Sequence, residues 1–165
     1  MSRVFTQTFG VVGAILEKDG KIALVKENPK VVMPDAGKWN QPAGWIDIGE
    51  NPVDAVKREV EEETGYTFEP TALLGVYSLV REDIAGQLGA TPHAIKIIFL
   101  GEIKNHDAPA TITDEIEEVR WFTPEEIFAM DSGTLRDEDI KNEIRDYLSG
   151  KKYPLDVIKH WVQKK

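Results

Sequence analysis

The stretch GWIDIGENPVDAVKREVEEETGY, Gly44 to Tyr66, places four glutamates within five consecutive positions. Asn51 is a good helix N-cap, Pro52 suits the first helical position, and Gly65 suits the left-handed residue that ends a helix. We therefore predict a helix over 51–64. Glutamates three or four positions apart on a helix repel one another, so the acidic face of this helix needs a compensating partner.

The glutamates of this helix are not spread evenly around it. At the helical repeat its valines fall on one face, and three carboxylates share the edge beside that face: Glu59, Glu62 and Glu63. Such a group at the rim of a core is costly without a positive charge. Carboxylate oxygens favour a hard cation, Mg²⁺ or Mn²⁺, as cofactor. The alternative is a solvated acidic helix face.

The composition sets limits on the kind of protein. A length of 165 residues predicts one domain over 1–165, and 30% charged with 41% hydrophobic residues is typical of a globular chain. A net charge of −9 disfavours nucleic acid and anionic lipid. We expect a small-molecule substrate, no nucleic-acid or membrane partner, and a monomer or homodimer. The N-terminus lacks a signal-peptide pattern, so the expected location is cytoplasmic.

Short apolar runs alternate with helical patterns along the chain, which predicts an α/β fold. The Asp-Gly pair in EKDGK predicts that the runs on either side of it, 9–16 and 21–25, form an antiparallel pair. A loop is predicted over 31–44. Further strands are predicted at 73–80, 95–102 and 119–122, and further helices after Thr123 and over 139–148. The C-terminal segment to residue 165 is expected to continue as a helical extension, packed through Leu155, Ile158 and Trp161.

The spacing Gly44, five residues, Glu50, seven residues, then Arg58 and the sequence EVEEETGY resembles the Nudix box. The resemblance implies an α/β/α sandwich around a mixed β-sheet. It also implies Mg²⁺- or Mn²⁺-dependent hydrolysis of a phosphoanhydride bond in a nucleoside di- or triphosphate or a related pyrophosphate. The alternative is a non-catalytic Nudix domain that binds a nucleotide or sugar nucleotide as a sensor or regulator.

The resemblance also implies roles for individual residues. Metal ligands would be Glu59, Glu62, Glu63 and the backbone carbonyl of Ala43. Either Glu59 or Glu62 could also orient or deprotonate the attacking water. Structural roles in the motif would fall to Gly44, Glu50, Arg58 and Gly65, with an ion pair between Glu50 and Arg58. In some relatives the general base precedes the strand that contains a tryptophan, and the candidates here are Glu115 and Glu118.

Residues outside the box provide candidates for substrate binding. Lys26 and Lys38 are predicted to contact phosphate, with Lys96 and Arg81 as second choices, and Trp39 and Trp45 are predicted to contact the ligand. The three histidines, including His106, have no ligand spacing and are assigned to no metal. WNQPAG and LRDEDIKNEIRDYLSGKKYPLDVI are similar to bacterial NudJ-type phosphatases. Those act on nucleoside tri- and diphosphates and on pyrophosphates of thiamine and its pyrimidine precursor.

Overall fold

The computed structural model describes residues 8–30, 35–89, 91–105, 110 and 113–164. Residues 31–34 of the predicted loop, and His106, lie outside this set. The strands are β1 Thr8–Ile15, β2 Glu17–Lys18, β3 Lys21–Glu27, β4 Trp39–Asn40, β5 Ala43–Trp45, β6 Phe68–Val80, β7 His93–Ile103, β8 Ile116–Phe122 and β9 Tyr153–Pro154. The α-helices are α1 Pro52–Thr64, α2 Ala85–Leu88, α3 Pro124–Ala129 and α4 Asp139–Leu148, and 3₁₀ turns occupy Glu82–Ile84 and Leu155–Val157.

The strands form two sheets. The first has the order β5-β1-β7-β6-β9 and is mixed, because β1 and β7 run parallel while the other pairs are antiparallel. In the second sheet β3 pairs antiparallel with β2, β4 and β8. This arrangement brings β5, the first strand of the box, to the edge of the first sheet.

Two buried apolar clusters lie on opposite sides of the strands. On β3, Ala23 enters one cluster, and its neighbours Ile22 and Leu24 enter the other, as the two-residue period of a strand requires. The helices close both clusters with fully buried side chains, namely Ala55, Val56 and Val60 from α1, Ile127 from α3, and Ile140 and Ile144 from α4. Helices therefore cover both faces of the strands, which confirms the predicted α/β/α sandwich.

The predicted helix of the box is confirmed, with α1 beginning at Pro52. The Asn51 side chain accepts a hydrogen bond from the backbone N–H of Val53 at 3.0 Å. Gly65 ends the helix at φ 72°, and its N–H donates to the carbonyl of Glu61 at 2.8 Å. The capping box at Thr123 is also present at the start of α3. Within the part of the chain that the structure describes, no helix is long and apolar enough to cross a membrane.

The predicted hairpin around EKDGK is only partly present. Of the described strands on the N-terminal side of the turn, only the short strand β2, Glu17 and Lys18, pairs antiparallel with β3, and the N–H of Ala23 also donates to the carbonyl of Leu16 at 3.0 Å. The longer strand before them, β1, belongs to the other sheet and pairs with β5 and β7. Away from the turn the two apolar runs therefore separate, and each pairs with strands of a different sheet.

The prediction of a helical extension over 139–165 is wrong beyond Leu148. Gly150 is left-handed, with φ 82°, and Tyr153 with Pro154 pairs antiparallel with β6 instead of continuing α4. Pro154 also lacks the N–H that a helix interior needs. Leu155 and Ile158 do pack against the cluster under α1, whereas Trp161 is 78% exposed.

Replacing Asn51 with alanine should lower the free energy of unfolding by about 1 kcal/mol, because the N–H of Val53 loses its acceptor. Asn51→Asp, which retains a capping oxygen, should unfold at nearly the wild-type urea concentration. Urea denaturation followed by circular dichroism measures both. An equal loss in the two variants would contradict a capping role for this side chain.

Candidate active site

A cavity of about 380 Å³ lies beside the start of the box. Ala43, Gly44 and Trp45 line it on one side. Its apolar lining comes mainly from the first sheet and from the segment between β6 and β7, with Phe9, Val11, Leu79, Ile84, Pro92 and Ala94. Its ionic lining consists of Asp35, Arg81, Lys96, Arg136 and Asp137. A largely apolar pocket with a few converging polar groups is the usual form of a small-molecule site.

The carboxylate of Glu59 rests directly on the backbone of Gly44. A Cβ atom built on Gly44 would lie 2.1 Å from the Cδ atom of Glu59, far closer than two carbons approach. Only 13% of the Glu59 side chain is exposed. The first glycine of the box is therefore required because any side chain there would displace this carboxylate.

Glu63 is held by the neighbouring peptide group. The backbone N–H of Ala43 donates a hydrogen bond to Oε2 of Glu63 at 2.9 Å. Burial, with the charges of Glu27 and Glu59, raises the pKa of Glu63 well above its ordinary value, despite the hydrogen bond from Ala43. Burial also raises the pKa of Glu59. At both carboxylates the effect of burial therefore outweighs that of the neighbouring donors.

Arg58 connects the loop of the box to its helix. It donates to both carboxylate oxygens of Glu50, at 2.8 and 2.9 Å, and to the carbonyl of Trp45 at 3.0 Å. The predicted ion pair of Glu50 and Arg58 is therefore present, and the hydrogen bond from Arg58 lowers the pKa of Glu50 to about 2. Arg58 also donates to Glu59 at 2.6 Å and to Glu62 at 3.1 Å.

The three box glutamates do not form a closed ligand set. The side chain of Glu62 is 58% exposed and is directed to Arg58. Among the described residues, no three acidic or histidine side chains converge closely enough to hold a metal ion. Mg²⁺ commonly needs only one or two protein carboxylates, with waters and substrate phosphate completing its shell. The buried, undercompensated carboxylates of Glu59 and Glu63 fit that kind of site.

Glu27 is a buried acidic residue that the sequence analysis missed. It lies at the end of β3, is 4% exposed, and accepts a hydrogen bond from Nη1 of Arg136 at 2.7 Å. Its charge is the largest Coulombic contribution that raises the pKa of Glu63. The predicted strand stopped at Val25. Continuing its two-residue alternation by one step would have placed Glu27 on the same face as Ala23, toward α1.

An ionic network forms the cavity wall away from the box. The guanidinium of Arg81 donates to Asp35, Asp83 and Asp137. Three members of this network come from different loops of the chain, and each is 9% exposed or less: Asp35, Arg81 and Asp137. The network thus joins the loop before β4, the β6–β7 segment and the start of α4.

The structure places one of the four predicted substrate-binding residues in the lining of the cavity. Trp45 lines the cavity, is 62% exposed and stacks on Phe9 with ring centroids 4.6 Å apart. The other three lie outside the cavity lining. Trp39 is 7% exposed and packs edge-to-face on Phe122 in the core; Lys26 pairs with Glu117 at 2.9 Å, and Lys38 lies 3.9 Å from Asp35. The second choices, Lys96 and Arg81, both line the cavity.

The two candidates for a separate general base lie on or next to β8. Val119 and Trp121 pack toward α1, so strand alternation places Glu118 on the opposite face. There Glu118 accepts a hydrogen bond from Arg120 at 2.8 Å. Glu115 is exposed before the strand, and its carbonyl accepts from the N–H of Asn28 at 2.8 Å. These contacts give neither carboxylate a place in the cavity, and a base role for them stays a prediction.

Comparisons with known proteins agree with this geometry. The NUDIX domain family model matches residues 5–144. Phosphatase NudJ from Escherichia coli strain K12 is 30% identical over 149 residues, covering 89% of this chain and 88% of that protein. A NUDIX hydrolase from Nitrosomonas europaea has a TM-score of 0.79 at 34% identity, over 94% of this chain and 98% of that one. The MutT protein from Methanosarcina mazei Go1 has a TM-score of 0.71 at 26% identity, over 90% and 99%. The chain belongs to the Nudix family and is a Nudix hydrolase.

Proposed function

We propose that this hydrolase cleaves a phosphoanhydride bond in a nucleoside di- or triphosphate or a related pyrophosphate, with Mg²⁺ or Mn²⁺ as cofactor. The observation that carries the proposal is the placement of two largely buried carboxylates, Glu59 and Glu63, against the backbone at the edge of the cavity, with only Arg58, among the described residues, paired to Glu59. The likeness to a protein named a phosphatase, at 30% identity, supports the same class of reaction.

The bound cation would neutralise these carboxylates, polarise a phosphoryl oxygen and lower the pKa of water. The chain's own contribution is to hold the acidic groups in place. Ala43 orients Glu63 through its N–H, and Gly44 leaves the space that the Glu59 carboxylate occupies. Arg58 keeps the box loop against the helix through Glu50. The carbonyl of Ala43 stays a predicted further ligand.

To act with Glu59 and Glu63 at one cation, Glu62 would have to leave Arg58. Its carboxylate is 58% exposed and paired with Arg58. Exposed ion pairs contribute only about 0–1 kcal/mol, so release of Glu62 from Arg58 costs little. Arg58 would still hold Glu50 through two other hydrogen bonds. We therefore retain Glu62 as a metal ligand in the proposal, and Glu59 or Glu62 as the group that orients water.

The cavity is proposed to hold the group attached to the phosphates. Trp45 offers an exposed ring face, backed by Phe9, on which a planar ring can stack. A volume of about 380 Å³ is at the lower end of ligand pockets. This size suits one nucleoside-sized group rather than two.

A screen for phosphate and pyrophosphate release should find activity that requires Mg²⁺ or Mn²⁺ and is abolished by EDTA. The substrates to test are nucleoside triphosphates, ADP-ribose, dinucleoside polyphosphates and thiamine pyrophosphate.

Glu63→Gln and Glu62→Gln should each lower kcat by orders of magnitude, because a charged oxygen is lost from the proposed site while the fold persists. Glu61→Gln, an exposed glutamate on the same helix, is the matched control. Unchanged turnover in the Glu62 and Glu63 variants would contradict the assigned roles, and tight binding without release would favour a sensor.

Gly44→Ala should reduce kcat/KM by about 100-fold, because the new methyl group displaces the Glu59 carboxylate by an ångström or more. The melting temperature should change little, since the group that must move is the end of a flexible side chain. Gly86→Ala, whose added methyl meets no atom within 4 Å, is the control and should keep its activity. Full activity of Gly44→Ala would show that the position of Glu59 does not matter for turnover.

A further inference from the structure

The three cationic side chains of the cavity differ in how many of their N–H donors are already used. A guanidinium has five N–H donors, and Arg81 makes five hydrogen bonds, to Asp35, Asp83 and Asp137. Arg81 therefore has no donor left for a ligand. Its role is to hold the three aspartates together.

Lys96 is similarly committed to the protein. Its side chain is 4% exposed, and its Nζ lies 3.0 Å from Asp139 and 2.8 Å from Glu143. Glu143 is fully buried, so removal of Lys96 from this pair would leave a buried carboxylate uncompensated, which is costly. Lys96 thus neutralises two carboxylates of α4 and is almost inaccessible to a substrate.

Arg136 differs from both because its guanidinium is only partly satisfied. Nη1 donates to Glu27 at 2.7 Å. Nε lies 3.2 Å from a carboxylate oxygen of Asp35, but it is buried without a properly aligned hydrogen bond. Nη2 makes no hydrogen bond to any of the described residues, and 33% of the side chain is exposed, at the cavity wall.

The backbone fixes the position of Arg136. Its N–H donates to the carbonyl of Trp39 at 2.8 Å, and the N–H of Trp39 donates to the carbonyl of Thr134 at 2.8 Å. Leu135, which lies between Thr134 and Arg136 in the chain, is fully buried. The guanidinium is therefore presented from a rigid segment, which reduces the ordering cost of binding.

The surroundings of Arg136 preserve its charge at the wall of the cavity. Burial opposes the charge, but attraction from Glu27, Asp137 and Asp35 outweighs it and raises the pKa of Arg136. Arg136 also lines the same cavity as Ala43 and Gly44 of the box.

We propose that Arg136 is the cavity residue that binds the anionic end of the substrate, a phosphate or diphosphate group, through the free donors of its guanidinium. The inference rests on the proposed function for the nature of that group. The two N–H groups of Nη2, held in the plane of the guanidinium, match phosphate oxygens better than an ammonium does. Arg136 is a substrate-binding residue in this account, and it takes no part in proton transfer.

The test uses methylenediphosphonate, a diphosphate analogue that water does not hydrolyse, with isothermal titration calorimetry of the full chain in the presence of Mg²⁺. Arg136→Gln should weaken its binding about 10- to 100-fold, the effect of losing charge-assisted hydrogen bonds. Arg136→Lys keeps the charge beside Glu27 but loses the fork, and should also weaken binding while keeping the melting temperature. Arg145→Gln, an arginine of α4 whose guanidinium lies over Phe128, is the matched control.

Substrate kinetics give a second readout. Both Arg136 variants should raise KM more than they lower kcat, whereas a merely structural defect would lower the melting temperature. Wild-type binding of the probe by folded Arg136→Lys and Arg136→Gln would overturn the proposal, as would failure of the wild-type chain to bind it. If the wild type binds the probe but hydrolyses none of the substrates screened, the proposed function fails, while the binding data still decide the role of Arg136.

Discussion

The contact on which this site depends is the packing of two carboxylates against the backbone of one short strand. Glu59 rests on Gly44, and Glu63 accepts a hydrogen bond from Ala43. The pairing of β5 with β1 and the packing of α1 on the core hold the strand and the helix that carry these groups together. Placing the two carboxylates here is costly and creates a local demand for positive charge that a hard cation can meet.

A second constraint is the way in which the cavity's basic groups are distributed among its acids. Arg81 is fully used by aspartates from three parts of the chain, and Lys96 is buried with Asp139 and Glu143. A cation whose donors are used, or whose side chain is buried among its partners, stabilises a pocket without being available to a ligand. A count of lysines and arginines near a site therefore overestimates its capacity for phosphate. The number of unused donors is the more informative quantity.

Prediction from the sequence succeeded where local chemistry and periodicity agree. The helix of the box, its Asn51 cap and Gly65 terminus, and the ion pair of Glu50 with Arg58 all follow from signals within one segment. It failed where the outcome depended on partners distant in the chain. The run 9–16 joined another sheet instead of the hairpin, and the tail after Gly150 paired with β6 because that strand had an edge available. Trp39 entered the core rather than the cavity because Phe122, far away in the chain, packs against it.

The sequence by itself determined the family, the position of the acidic helix and the carboxylate groups that it offers, because these are encoded in the spacing of residues along one helix and loop. Only the tertiary structure decided that Glu59 and Glu63 are buried while Glu62 remains exposed beside Arg58. It also brought Glu27 to the box and left Arg136, the most exposed of the three cavity cations, with donors that no described residue uses. The physical reason is that burial and hydrogen-bond saturation depend on which strands and loops meet in space, and residue spacing does not carry that information.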